Sequence, residues 1–207
     1  MWLYDRYRRA TMVPKPLFMQ NLRLADSVRS VPGCVVECGV WRGGMIAALA
    51  HILGKHRNYY LFDSFEGLPP AQPIDGPSAH AWQSSTTAPN FYDNCAAPLA
   101  NAEQSMARAG AVNAHFIKGW FEQTLTNFKF PEPIALLRLD GDWYDSTMTA
   151  LQSAFDQVSV GGLIIIDDYA TWDGCSRAVH DFLSHRQLSE RLLVHGGVYY
   201  LQKTASR

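Results

Sequence analysis

Four short apolar runs in this chain each end in an acid, and that placement limits the possible folds more than any other feature. CVV leads into Glu37-Cys38-Gly39, YYLF into Asp63, IALLRL into Asp140, and the run 163–166 into Asp167-Asp168. Continuous Val/Ile/Leu/Phe runs of this length read as parallel strands buried on both faces. Ligands of open α/β sheets sit outside the carboxyl ends of the strands. One crevice therefore collects most of the well-placed carboxylates, as an enzyme using a nucleotide-like cofactor and a metal would require.

Composition narrows the partners. With 207 residues, 47% hydrophobic and 18% charged, the chain suits one globular domain over 1–207. A formal net charge of -1 leaves no footprint for nucleic acid or an anionic membrane surface. No apolar run approaches the roughly 20 residues that span a bilayer. The N-terminus mixes bases with an acid and lacks an apolar stretch, so no secretory signal is read there and the cytoplasm is the expected compartment. Cys34, Cys38, Cys95 and Cys175 show no metal or disulfide spacing.

Along the chain, residues 1–30 are the least regular, with an amphipathic helix expected over about 16–30. Gly43-Gly44 opens a helix whose buried face is Met45, Ala48, Leu49, Ile52 and Leu53 and which Gly54 ends. Residues 68–97 are rich in Pro, Ser, Thr and aromatics without either period, and are expected to form a loop acting as a substrate lid, with His80 near the substrate. Helices over 97–109, from Asp145 or Ser146 to Val158, and over 174–186 alternate with strands, with Gly161-Gly162 closing the crossover before strand 5. RLLVHGGVYYLQ reads as an antiparallel hairpin. Five strands alternating with helices and closed by a hairpin resemble the Rossmann-like class I methyltransferase sheet: α/β, mostly parallel and seven-stranded.

The motifs carry chemistry. VECGVWRGG sits between a strand and a helix: Gly39 permits a tight turn, and Gly43-Gly44 would let backbone amides approach a ligand. The pattern departs from the pyrophosphate fingerprint G-x-G-x-x-G. Glu37 beside it suits the ammonium and sulfonium of S-adenosylmethionine. Asp63, 26 residues after Glu37, suits ribose hydroxyls. LRLDGDWYDST and IIIDDY bring several carboxylates together, a hard oxygen set that selects Mg²⁺, Ca²⁺ or Mn²⁺ over zinc.

VECGVWRGG, LFDSFEGLP, FIKGWFEQTL, LRLDGDWYDST and GGLIIIDDY, in this order, resemble the macrocin O-methyltransferase family across roughly residues 11–202. That resemblance implies a metal- and S-adenosylmethionine-dependent enzyme methylating sugar hydroxyls of macrolides and related natural products. It implies Mg²⁺ on Asp140, Asp167 and Asp168. It places the cofactor against Glu37, Cys38, Gly39, Gly43, Gly44, Asp63, Ser64, Gly119, Trp120 and Asp140, under an N-terminal segment at Thr11 and Met12. Catechol-type relatives carry a lysine base after the first metal aspartate; here Asp142-Trp143 stands instead, so the base becomes Asp142, by analogy with sugar methyltransferases. The expected partner is a small glycoside or diol acceptor, within a homodimer or higher homo-oligomer. A D-x-D glycosyltransferase would leave VECGVWRGG unexplained, and a non-catalytic cofactor-binding protein would not need the full acid set; a catechol acceptor remains open.

Overall fold

The structure is a computed structural model that describes residues 2–205; the terminal residues Met1, Ser206 and Arg207 of the expected 1–207 unit lie outside the described residues. Seven strands form one sheet in the order β3-β2-β1-β4-β5-β7-β6. β1 (Cys34–Cys38), β2 (Asn58–Asp63), β3 (Asn113–Lys118), β4 (Ile134–Leu139) and β5 (Val158–Ile166) run parallel. β7 (Val198–Gln202) pairs antiparallel with β5, and β6 (Leu193–His195) with β7. This is the mostly parallel sheet with an antiparallel end that the alternating runs led us to expect.

Period-two alternation divides the strand side chains between two cores. Val35, Leu61, Leu136 and Ile165 meet α1 (Trp2–Tyr7), α2 (Lys15–Ser27), α3 (Gly44–Leu53) and α5 (Leu99–Ala109). Val36, Cys38, Phe62, Leu137 and Ile164 meet α6 (Phe121–Thr124), α7 (Tyr144–Ala154) and α8 (Asp173–His185) on the other face. Glu37 and Arg138 are register partners on neighbouring strands, so they share a face and stand side by side.

Four expectations change. Residues 2–7 form helix α1, whose Tyr7 hydroxyl meets His51 Nε2 at 3.0 Å. The 68–97 segment is not only loop: it holds α4 (Gly76–Ser84), which buries just Gly76 and Ala79 and so shows no helical stripe in sequence. Gly161-Gly162 lies inside β5, where Ile134 to Leu136 on β4 faces Val158 to Leu163 on β5, a bulge. Neither Asp145 nor Ser146 caps α7. The Tyr144 N–H donates instead to Asp75 Oδ1 of the insertion at 2.7 Å, a cap contributed from 69 residues away.

Candidate active site

A cleft of about 360 Å³ opens at the carboxyl ends of β1, β4 and β5. Gly39 makes this end possible: at φ +90, its chain passes so close to β4 that a Cβ would lie 1.7 Å from the Asp140 carbonyl oxygen. The turn beyond it is organised by Asp63. Asp63 Oδ2 accepts the Val40 and Trp41 N–H groups at 2.6 and 2.8 Å, and Oδ1 accepts the Phe65 N–H at 2.6 Å. Burial raises the Asp63 pKa, with those three amides acting the other way. The carboxylate expected to await ribose hydroxyls thus already holds the loop together.

One wall is ionic. Arg138 Nη1 lies 3.0 Å from Glu37 Oε1 and 2.7 Å from Asp140 Oδ2, and Nη2 lies 2.8 Å from Asp167 Oδ1. The Arg138 and Glu37 side chains are each 1% exposed. Burial pushes the Glu37 carboxyl up to about 8 against the pull of Arg138, and Asp167 to about 6. Asp140, Asp167 and Asp168 can direct one oxygen each to positions within 4.8 Å of one another. These three converging acids beside the Arg138 guanidinium are an all-oxygen donor set of the kind a hard divalent cation takes. The donor set therefore fits such an ion.

Asp142 sits beside this cluster with φ +60. Its Oδ1 accepts the Trp172 indole N–H at 2.8 Å, while its own N–H donates to Asp168 Oδ2 at 3.0 Å. Burial, and then the neighbouring Asp140 charge, push its carboxyl up to about 8.

The rest of the cleft is mostly apolar and is bordered by two segments. Residues 10–14 form a strap whose Ala10 carbonyl accepts the Gly44 N–H at 2.8 Å; a Cβ on Gly44 would meet that carbonyl at 2.4 Å. The insertion contributes Trp82, whose ring meets Trp172 at 5.9 Å and Trp143 at 6.3 Å, and Tyr92, which meets Trp41 at 5.9 Å. Glu37 Oε2 and Trp41 Nε1 are buried without partners among the described residues, and both residues line the cleft. An unpaired acceptor and an unpaired donor fit a ligand carrying amino and carbonyl-like groups, as S-adenosylmethionine does.

Of the residues named from sequence, Thr11, Met12, Glu37, Gly39, Asp63, Ser64, Trp120, Asp140, Asp142, Asp167 and Asp168 line the cleft. Cys38, Gly43, Gly44 and Gly119 do not. Cys38 packs in the opposite core, and the amides of Gly43 and Gly44 already serve Val40 and Ala10 carbonyls, so they are not free for a ligand. His80 is exposed and away from the cleft. Sequence reasoning missed Arg138 and Trp172. An arginine inside the apolar run IALLRL was a signal, because a buried charge needs partners; Trp172 carried none.

The Macrocin-O-methyltransferase (TylF) family profile matches residues 8–201. The 8-demethyl-8-(2,3-dimethoxy-alpha-L-rhamnosyl)-tetracenomycin-C 4'-O-methyltransferase of Streptomyces olivaceus is 36% identical over 191 residues, covering 88% of this chain and 70% of that protein. The demethyldecarbamoylnovobiocin O-methyltransferase of Streptomyces niveus is 31% identical over 193 residues, covering 88% and 72%. The solved structure of the O-methyltransferase NovP superposes with a TM-score of 0.76 at 27% identity, over 95% of this chain and 83% of that one. With its sheet and nearly its whole length matched, the chain belongs to the macrocin-O-methyltransferase (TylF) family and is a class I S-adenosylmethionine-dependent O-methyltransferase.

Proposed function

We propose that this enzyme methylates one hydroxyl of a vicinal diol on the sugar of a glycosylated natural product, with Mg²⁺ held by Asp140, Asp167 and Asp168. The observation that carries the reading is Asp142, held by Trp172 beside those three acids in the same cleft. The relatives named above are O-methyltransferases of a rhamnosyl-tetracenomycin and of demethyldecarbamoylnovobiocin.

Methyl transfer forms an oxygen–carbon bond to the acceptor and breaks the carbon–sulfur bond of the donor. Glu37 and the turn held by Asp63 bind the donor, and the strap at Thr11 and Met12 excludes water from it. Asp140, Asp167 and Asp168 would hold Mg²⁺, which would supply positive charge beside the acceptor and favour loss of its hydroxyl proton. Trp172 occupies Asp142 Oδ1 and leaves Oδ2 to take the acceptor proton. Trp82, Tyr92 and Trp172 offer ring faces to an acceptor under the lid.

Labelled S-adenosylmethionine, assayed against glycosides and catechols with Mg²⁺ or EDTA, tests this. Transfer to a diol-bearing glycoside only with Mg²⁺ is expected. Full activity in EDTA removes the metal from the reading. A preference for catechols moves the acceptor to the aryl class, against which stands the aspartate at the base position and the lack of any lysine among the lining residues.

A further inference from the structure

A guanidinium with no access to solvent stands between the acid on the donor side of the cleft and two acids on the metal side. Arg138 is 0% exposed in a strand otherwise built of Ile, Ala and Leu. Its Nη1 donates to Glu37 Oε1 and Asp140 Oδ2, its Nη2 lies in ion-pair contact with Asp167 Oδ1, and neither Nη2 nor Nε makes a hydrogen bond among the described residues. Everything that compensates its burial is a carboxylate, and those carboxylates depend on it in return. Breaking such an arrangement from one side leaves charges buried without partners.

Two of the three acids are the ones assigned to Mg²⁺. Asp140 and Asp167 cannot give their full charge to the guanidinium and to a divalent cation at once, and the two cations repel across a short distance. We propose that Arg138 is a positioning residue that serves as the resident counter-charge of the site. It holds Glu37, Asp140 and Asp167 in their metal-free geometry, and it keeps divalent-cation binding weaker than the acids alone would give, by competing for Asp140 and Asp167. This rests on the metal assignment above.

The experiment compares wild type, Arg138→Met and Arg138→Lys by Mn²⁺ titration (calorimetry or paramagnetic resonance) and by thermal melting in EDTA and in saturating Mn²⁺. Methionine has similar reach without charge. Arg138→Met should bind Mn²⁺ about tenfold tighter or more. In EDTA its melting temperature should fall by about 6–20 °C, and Mn²⁺ should restore more of that than it adds to wild type. Lysine keeps the charge but lacks the fork that spans three acids, so Arg138→Lys should lose part of the stability in EDTA while its Mn²⁺ affinity stays within about threefold of wild type.

Equal or weaker Mn²⁺ binding by Arg138→Met overturns the proposal, because alignment and not counter-charge would then be the role of the arginine. If Arg138→Met folds with Mn²⁺ and not in EDTA, the proposal stands. If it folds in neither, Arg138→Lys decides: a Mn²⁺ affinity within about threefold of wild type supports the proposal, and one about tenfold weaker overturns it, because the fork and not the charge would then set the affinity. Wild type that binds no Mn²⁺ fails the metal assignment instead, and this proposal with it.

Discussion

Trp172 donates its indole N–H to Asp142 Oδ1 at 2.8 Å, joining the N-terminal end of α8 to the loop after β4 across 30 residues. The bond fixes one oxygen of the carboxylate, and in the proposed reaction the other takes the acceptor proton. Asp142→Asn removes that acceptor while keeping shape and the tryptophan contact. Its rate of methyl transfer should fall by about 10²–10⁴-fold, with donor and Mg²⁺ affinities near wild type by calorimetry. Normal turnover eliminates Asp142 as base, and loss of Mg²⁺ binding reassigns it as a ligand.

Trp172→Phe keeps a ring against Trp82 and Trp143 but loses the donor. A hydrogen bond to a charged group is worth about 1.5–3 kcal/mol, so kcat should drop about tenfold or more with KM for S-adenosylmethionine unchanged. A wild-type kcat in steady-state assays refutes the positioning role.

Stability of the metal-free protein should fall as pH rises from about 6.5 to 8. Glu37 and Asp142 titrate near 8 when folded, far above an unfolded carboxyl group. The folded state therefore binds more protons across this range, and its stability is lost as they leave. His51, whose pKa is lowered, acts in the opposite sense but only below about 6.5. Melting in EDTA and in Mg²⁺ checks this: Mg²⁺ should raise the melting temperature more at pH 8 than at 6.5. A flat or rising profile in EDTA counts against it.

Two glycines separate close approach from backbone preference. Gly39→Ala forces a Cβ into the Asp140 carbonyl and should cost at least about 3 kcal/mol together with donor binding. Gly54→Ala, at φ +110 with nothing within 4 Å, should cost only about 1–2 kcal/mol. Chemical denaturation measures both, and equal losses would show that backbone conformation alone sets the cost at Gly39.

Asp75 ties the insertion to the site. Its Oδ1 caps α7 through the Tyr144 N–H and its Oδ2 accepts the Gln72 N–H at 2.7 Å. Asp75→Ala should cost about 1–2 kcal/mol, as a lost helix cap does, and should raise KM for the acceptor more than for the donor. An unchanged acceptor KM would detach the insertion from acceptor binding.

The order of strands and helices, and the acids at their ends, were legible in the chain because strand burial is a local pattern. CVVEC, YYLF, IALLRL and GLIII each show their own apolar run and its end without reference to the others. The hairpin at Gly196-Gly197 was equally local. Helix α4 escaped notice because it buries so little, and the bulge at Gly161-Gly162 because it is defined only by the register of the neighbouring strand.

What only the tertiary structure decided is which of those acids meet a partner and which stay open. Glu37 and Arg138, 101 residues apart, become neighbours through strand register. Asp63 is drawn into three backbone amides, Gly44 is taken up by the strap, and Asp142 is held by the tryptophan that precedes α8. Residue type sets what a side chain can bind. Its state in the folded protein depends on desolvation and on charges brought from distant parts of the chain, which no local pattern records.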